Sequence, residues 1–281
     1  MVEVDNLVKQ YEDFSLNISL NIPSGVITGI IGKNGAGKST LIKSILGLIN
    51  PTSGNVKVFG KDVSKLTTSD KCDIGVAMAE AGFSMYLTVK DVAGILKKMY
   101  PSFQTEIFSD KCKQLGLPMN KLIKEFSTGM KAKLRVLVAI SHGAKLLILD
   151  EPTAGLDIEA RNEILDMLRA YMAKDDSRSI MISSHISSDL EGLCDDIYLI
   201  HDGRLLLHEE IDNIMSNYAL VKVNKNDYET IDKTYFLATK QENFGYVCLT
   251  NQKRYYLENY PKVVLENGNI DELILMMTGG K

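Results

Sequence analysis

Gly32-Lys33-Asn34-Gly35-Ala36-Gly37-Lys38-Ser39-Thr40 fits the phosphate-binding loop pattern G-x-x-x-x-G-K-[ST] at every fixed position. The apolar, β-branched residues 26–31 precede it and predict a buried strand. Residues 41–46 follow it with apolar side chains at helical spacing. A strand, a glycine-rich loop and a helix in this order predict a phosphate site, whereas the pattern alone would also fit a glycine-rich turn.

The residue types of this loop suit an anion. Glycines let backbone N–H groups converge on a phosphate because no Cβ blocks the approach. The N-terminus of the following helix also favours negative charge. We expect Lys38 to reach the β- and γ-phosphates of a nucleotide and the Ser39 hydroxyl to ligate Mg²⁺. The predicted phosphate contacts are Gly32, Asn34, Gly35, Ala36, Gly37, Lys38, Ser39 and Thr40.

Composition narrows the class of protein. The chain has 281 residues, of which 45% are hydrophobic, as in a soluble globular protein with one large domain and at most a small appendage. A net charge of -4 gives no reason to expect nucleic-acid binding. No apolar run of about 18 residues predicts a membrane span, and the acidic N-terminus does not resemble a signal peptide. The four cysteines are widely spaced, which favours free thiols in a reducing compartment over disulfides or a metal site.

Two further strand-like runs end in titratable side chains. Residues 146–149 are apolar and lead directly into Asp150 and Glu151. Ligands of α/β sheets bind at the carboxyl ends of such buried parallel strands. We therefore predict that Asp150 holds Mg²⁺ and that Glu151 accepts a proton from an attacking water. Residues 179–184 repeat this design before His185, which either hydrogen-bonds a γ-phosphate or is structural.

Changes in the spacing of hydrophobic residues, from strand-like to helix-like, divide the chain into segments. Residues 51–78 predict further β structure. Residues 88–142 predict mainly helix, starting from a cap formed by Thr88 and Asp91. Because this block interrupts an α/β pattern, we expect an inserted helical subdomain. Tyr11 precedes the phosphate loop in a polar stretch and is either a base-stacking aromatic or a tyrosine on a strand face.

The tail, residues 216–281, has a pattern of its own. It predicts strands at residues 219–223, 235–238, 246–249 and 262–265, and then a helix over residues 270–277. Asn269 and Glu272 have capping-box spacing, and Gly279 suits the end of that helix. The tail is interpreted as a small α+β domain that uses its aromatic residues as a core. A regulatory or dimer-supporting module is the alternative.

The segment Phe126-Ser127-Thr128-Gly129-Met130-Lys131 lies in the last part of the helical block, before the Asp150-Glu151 strand. With the phosphate loop, Ala154-Gly155-Leu156-Asp157 and the Ser184-His185 pair, its order and spacing resemble the ATP-binding-cassette (ABC) family over residues 1–215. The resemblance is to ATPase subunits of small bacterial exporters whose membrane part is a separate chain. It implies an α/β fold with a RecA-like phosphate-loop core, an antiparallel β part and the inserted helical subdomain.

The resemblance also implies a role for each matching residue. Lys38, Glu151 and His185 resemble the catalytic lysine, glutamate and switch histidine of the family. Ser39 and Asp150 resemble its Mg²⁺ contacts, so the implied cofactors are ATP and Mg²⁺.

Other matching residues imply an ATP site that is shared between two protomers. Tyr11 resembles the base-stacking aromatic. Ser127 and Gly129 resemble the signature motif, which in this family contacts the ATP held by the other protomer. A hydroxyl, a glycine backbone and a helix N-terminus suit a γ-phosphate. Asp157 resembles the residue that communicates between the two sites, so each site is expected to be completed by dimerisation.

Two departures from the family pattern matter. The signature has Thr128 and Met130 where the family has glycine and glutamine, although Ser127 and Gly129 are retained. The Mg²⁺-contacting glutamine of the family falls on Ala79, which cannot ligate a metal. Glu80 is either a substitute ligand or a solvated loop acid.

The implied partners are a second ATPase protomer, identical or related, and a polytopic membrane permease, with no nucleic acid. The permease is expected to dock on residues 82–92, and the protein to lie in the cytoplasm on the inner face of the membrane. One alternative is a soluble ABC ATPase acting on nucleic acid or the ribosome. It is disfavoured because the chain has one cassette, no long insertion and no basic excess. A non-hydrolysing regulator is a second alternative, against which the intact Lys38, Asp150, Glu151 and His185 argue.

Overall fold

Ten strands form one mixed sheet in the computed structural model, which describes residues 1–78 and 83–279. They are β1 (Val2–Gln10), β2 (Ser15–Ile22), β3 (Ile27–Ile31), β4 (Ser53–Val58), β5 (Lys61–Asp62), β6 (Ile74–Met78), β7 (Leu146–Asp150), β8 (Ser179–Ser184), β9 (Asp196–His201) and β10 (Arg204–Glu210). Their order across the sheet is β5-β4-β1-β2-β10-β9-β3-β8-β7-β6. The strands from β9 to β6 run parallel, and the β5-β4-β1-β2 side is antiparallel. The predicted α/β class with an antiparallel β part is therefore confirmed.

The parallel register brings the functional segments to one edge. Ile31 at the end of β3 pairs with Ser184 of β8, and Asp150 at the end of β7 pairs with Ser183 of β8. The phosphate loop, Glu151 and His185 each follow one of these strands. Because parallel strands end at the same edge, the loops after β3, β7 and β8 meet there.

Helices cover both faces of this sheet. In chain order they are α1 (Lys38–Ile45), α2 (Thr68–Cys72), α3 (Val89–Met99), α4 (Thr105–Gln114), α5 (Thr128–Ile140), α6 (Ile158–Met172), α7 (Ser187–Glu191) and α8 (Ile211–Asn217). Alternate residues of a strand point to opposite faces, so Leu147 and Leu149 enter one buried cluster and Ile148 the other. The four residues of β7 before Asp150 are fully buried, which explains why its sequence reads as an unbroken apolar run.

The helical block over residues 88–142 is confirmed as α3, α4 and α5, with a core of its own. The Thr88 side chain accepts a hydrogen bond from Asp91 N, and the Asp91 carboxylate accepts one from Thr88 N at 2.9 Å. This is the predicted cap of α3. The interpretation of residues 51–78 as purely β was incomplete, because Thr67 and Asp70 form a second capping box that starts α2.

The tail forms a second, antiparallel sheet. Its elements are β11 (Ala219–Asn224), α9 (Lys225–Thr230), β12 (Phe236–Glu242), β13 (Gly245–Thr250), α10 (Lys253–Asn259), β14 (Val264–Asn267) and α11 (Ile270–Met277), with strand order β12-β13-β11-β14. The bounds of the four strands and α11 match the prediction within four residues, whereas α9 and α10 were not predicted. Asn269 caps α11, and Gly279 follows it at a φ of 62°.

One face of the tail sheet is continuous with the core of the first 215 residues. Leu220, Leu249 and Leu273 of the tail belong to the same buried cluster as Leu190 and Leu193. The other face packs on α9 and α10 through the tyrosine-rich cluster that the sequence predicted as a core. The division into residues 1–215 and 216–281 stays a prediction about folding units.

Candidate nucleotide-binding site

The phosphate loop joins β3 to α1 with a backbone that requires glycine. Gly35 and Gly37 have φ values of 83° and 113°. A Cβ on Gly37 would be strained at this φ and would lie 2.7 Å from the Leu16 side chain, which would have to move. The loop encloses a cavity of 220 Å³ lined by residues 33–40 together with Phe14 and Glu151. A loop of converging N–H groups at a helix N-terminus is suited to bind phosphate.

Lys38 is buried beneath this loop. Its Nζ donates a hydrogen bond to Gly32 O at 2.7 Å and lies 3.5 Å from Glu151 Oε1. The ammonium group is therefore next to both the loop and the carboxylate that follows β7. A phosphate bound in the loop would provide a charged partner in place of the carbonyl oxygen.

Asp150 links two hydroxyl groups. Ser39 Oγ donates to Asp150 Oδ2 at 3.0 Å, and Ser183 Oγ donates to Asp150 Oδ1 at 2.6 Å. The carboxylate and the Ser39 hydroxyl are hard oxygen donors on adjacent elements, which is the ligand chemistry that Mg²⁺ prefers. These two residues fit the predicted role of holding Mg²⁺.

Glu151 is fixed from two sides. Its backbone N–H donates to Ser183 Oγ at 3.0 Å, and its φ of 49° is left-handed. Its Oε2 accepts a hydrogen bond from His185 N at 3.2 Å and lies 2.6 Å from His185 Nδ1. A carboxylate oxygen can only accept, which places a proton on Nδ1. The structure thus brings Lys38, Glu151 and His185 together at one edge of the sheet.

Ser127, Gly129 and Asp157 lie together in a different place. Ser127 and Asp157 cap the N-termini of α5 and α6, accepting hydrogen bonds from Met130 N at 3.2 Å and Ala160 N at 2.8 Å. They line a cavity of 440 Å³. Among the described residues it shares no lining residue with the phosphate-loop cavity. The described part of the chain therefore contains these two cavities as separate places.

Tyr11 is a predicted site residue that the described phosphate-loop cavity does not include. Tyr11 is 44% exposed and is absent from the described lining of the phosphate-loop cavity, which Phe14 lines instead. The two rings are 6.4 Å apart. Phe14 was missed because the sequence pattern singles out only the exposed tyrosine beside it. Glu80, the predicted substitute metal ligand, and Ala79 lie outside the described residues.

Ser183 is a residue of this site that sequence reasoning missed. Ser183 holds both Asp150 and Glu151, yet it was predicted only as part of a strand. The available signal was a hydroxyl near the end of a buried strand that leads directly to a functional residue. The cysteines behave as predicted, because all four thiols are free of disulfides.

A phosphate loop after one parallel strand, with two acids at the end of a second parallel strand of the same sheet, defines a phosphate-loop nucleoside triphosphatase. The family profile described as "ABC transporter" matches residues 16–154. The lantibiotic transport ATP-binding protein SrtF of Streptococcus pyogenes is 35% identical over 215 residues, which cover 75% of this chain and 92% of that protein. The chain belongs to the ABC transporter ATPase family, as an ATP-binding and ATP-hydrolysing subunit.

Two further comparisons agree with this assignment. The ABC transporter ATP-binding protein YtrB of Bacillus subtilis is 27% identical over an alignment that covers 100% of this chain and 99% of YtrB. That alignment includes the tail. A solved ATP-binding subunit of an ABC transporter superimposes with a TM-score of 0.67 at 26% identity, covering 76% of this chain and 91% of that one. Within residues 1–78 and 83–279, no helix has the length and apolar character needed to cross a membrane.

Proposed function

We propose that this chain is the ATP-hydrolysing subunit of an ABC exporter and that it works as one of two protomers bound to a separate membrane permease. The observation that carries the proposal is the division of the site. Lys38 and Glu151 line one cavity, while Ser127, Gly129 and Asp157 lie at another. ATP bound at the phosphate loop of one protomer would be covered by the Ser127 half-site of a second. ATP then stabilises the dimer, and its hydrolysis releases it.

The residues around the phosphate loop have distinct parts in hydrolysis. The loop amides and Lys38 bind and orient the β- and γ-phosphates. Ser39 and Asp150 hold Mg²⁺, which neutralises charge on the phosphate oxygens when it is bound. Glu151 accepts a proton from the attacking water. His185 orients the Glu151 carboxylate through the 2.6 Å contact, and in its protonated form its Nε2 can also donate to the γ-phosphate.

The permease is proposed to dock beside α3. Met85 and Tyr86 are 42% and 75% exposed, and they lie on the segment before this helix. Phe83, by contrast, packs against the core of the helical subdomain. Exposed apolar side chains of this kind are suited to a protein partner. Substituting Met85→Asp and Tyr86→Asp should release the permease while leaving ATP hydrolysis by the isolated subunit in place.

The proposal is tested by purifying the tagged Glu151→Gln protein in mild detergent with ATP and Mg²⁺, and identifying by mass spectrometry what copurifies. This substitution removes the proton acceptor and should hold the ATP dimer closed. A matched Lys38→Ala preparation controls for contacts that do not need bound ATP. We expect a stoichiometric multi-spanning membrane protein. Recovery of soluble proteins or ribosomes alone would instead support the soluble ATPase, which the net charge of -4 disfavours.

A further inference from the structure

Asp189 is a fully buried carboxylate that the reaction described above does not use. It lies in α7, four residues after His185. Its Oδ2 accepts a hydrogen bond from Thr153 Oγ1 at 2.6 Å, and its Oδ1 accepts one from Arg161 Nε. Arg161 also donates to Ser188 Oγ. Both oxygens of a buried acid are therefore occupied by groups from other segments.

Each segment joined at Asp189 carries a residue of the site. Thr153 lies in the turn that follows Glu151, in which Ala154 N donates to Glu151 O at 3.3 Å. Arg161 lies in the first turns of α6, and its backbone N–H donates to Asp157 O at 3.0 Å. The carboxylate thus connects the segments of Glu151, Asp157 and His185 within one hydrogen-bonded cluster.

The buried charges of Asp189 and Arg161 make the connection between their segments costly to break. A buried carboxylate without a partner is strongly unfavourable, so the Asp189 charge requires the Arg161 guanidinium beside it. The Arg161 side chain is 22% exposed, and its ion pair with Asp189 is shielded from water on one side. Moving the start of α6 therefore moves Asp189 or breaks a buried ion pair.

We propose that Asp189 is a positioning residue for ATP hydrolysis, which holds the Glu151–His185 pair in register with the Asp157 segment. The inference rests on the proposed function, because Asp157 lines the half-site that a second protomer would use. A contact made there reaches α6, and Arg161 transmits the displacement to Asp189 and Thr153. Asp189 touches neither nucleotide half-site, so it acts on turnover and not on ATP binding.

The test measures kcat and KM for ATP in the Asp189→Asn, Arg161→Gln and double variants. A misplacement of catalytic groups by about 1 Å costs about 100-fold in rate, so we expect kcat to fall about 10- to 100-fold. KM should stay within about twofold of the parent, because the substitutions leave the contacts that bind ATP in the ground state unchanged. The double variant should lose no more than the worse single variant, because both remove the same pair.

Arg169→Gln is the matched control. Arg169 also joins α6 to the end of α7, donating to Gly192 O at 3.0 Å, but it lies two turns away from the site loops. It should keep the turnover of the parent. Equal losses in Arg169→Gln and Asp189→Asn would overturn the inference, as would an unchanged kcat in Asp189→Asn or losses that multiply in the double variant.

Thr153 provides a second route if Asp189→Asn does not fold. Thr153→Val removes one hydrogen bond without exposing a charge, and Thr153→Ser keeps the hydroxyl. We expect Thr153→Val to lower kcat and Thr153→Ser to restore it, whereas equal turnover in the two variants overturns the inference. A parent protein that hydrolyses no ATP would refute the proposed function. A parent that turns over normally beside an equally active Asp189→Asn would refute the positioning role alone.

Discussion

His185 Nδ1 and Glu151 Oε2 are 2.6 Å apart, although the two residues are separated by 34 positions in the chain. The contact crosses the gap between the ends of β8 and β7, which pair directly in the sheet. It gives the glutamate one orientation, with its other oxygen 3.5 Å from Lys38 Nζ. The proton acceptor is thus fixed between the histidine and the phosphate-loop lysine.

Replacing His185 with alanine should lower kcat by about 100-fold with little change in KM for ATP. The loss of orientation at Glu151 affects the transition state more than substrate binding. Steady-state hydrolysis across a range of ATP concentrations measures both parameters. His201→Ala is the control, because His201 lies at the end of β9 in the β9–β10 hairpin, where it pairs with Asp202 at 3.4 Å. Equal activity in the two alanine variants would remove His185 from the site.

Gly129→Ala should reduce turnover by separating α5 from α6. The added Cβ would lie 3.1 Å from Ala160 Cβ on the opposing helix, so the helices must move by a few tenths of an ångström. Since Ser127 and Asp157 start these two helices, their spacing changes, and we expect kcat to fall by about tenfold.

Gly94→Ala is the paired control for Gly129→Ala. Gly94 is exposed within α3, and a Cβ there meets no atom within 4 Å. This change should stabilise the protein by about 0.5–1 kcal/mol and leave turnover unaltered. Urea unfolding and an ATPase assay measure both effects. If Gly129→Ala retained full activity, the close approach of the two helices would have no functional consequence.

His142 should make stability fall in mild acid. Burial lowers the pKa of His142, although the backbone carbonyl of Ile74, 3.3 Å from Nε2, raises it in part. The unfolded chain then binds a proton more readily than the folded one as pH falls below about 6.5, so stability is present above this pH and lost below it. The uptake of one proton can change the free energy of unfolding by no more than about 1.4 kcal/mol per pH unit.

The measurement for His142 is urea unfolding at a series of pH values from 7.5 to 5.5. His142→Gln should flatten the dependence of the unfolding free energy on pH, even if the substitution itself destabilises the fold. A slope that is the same with and without His142 would assign the pH dependence to other groups.

Leu273→Ala should destabilise the whole chain by about 2–5 kcal/mol. Leu273 of α11 is fully buried in the cluster that also contains Leu190 and Leu193 of the first 215 residues. Leu275 on the same helix is 46% exposed, so Leu275→Ala is the matched control and should change little. Thermal or urea unfolding, followed by fluorescence and by nucleotide binding, should show a single transition. Two transitions, of which Leu273→Ala affects only one, would instead make the tail an independent domain.

The sequence was sufficient to predict those parts of the site in which a buried strand leads directly to a functional side chain. Apolar runs before Gly32, Asp150 and His185 predict parallel strands, and parallel strands end at one edge. Spatial proximity therefore follows from topology alone. The short helices α9 and α10 were missed because six or seven residues are too few to show a helical period.

Contacts between distant segments could not be predicted in the same way. Thr153 and Asp189 are 36 positions apart, and no local pattern indicates that their side chains meet. Asp189 looks like an ordinary polar residue of a short helix until the packing of α6 against α7 buries it. Predicting such a contact requires knowing the register between two elements, which depends on the side chains of the whole core.

The left-handed backbone of Glu151, with its φ of 49°, implies that this protein is not built for greatest stability at its reaction centre. A non-glycine residue in that conformation costs about 1–2 kcal/mol relative to an ordinary one. Glycine would relieve the strain, and asparagine would reduce it, yet neither can accept the proton from water. The residue that makes the chain an enzyme is thus also one whose removal should make the fold more robust. Natural or laboratory selection for heat resistance alone would tend to erode the activity at this position first.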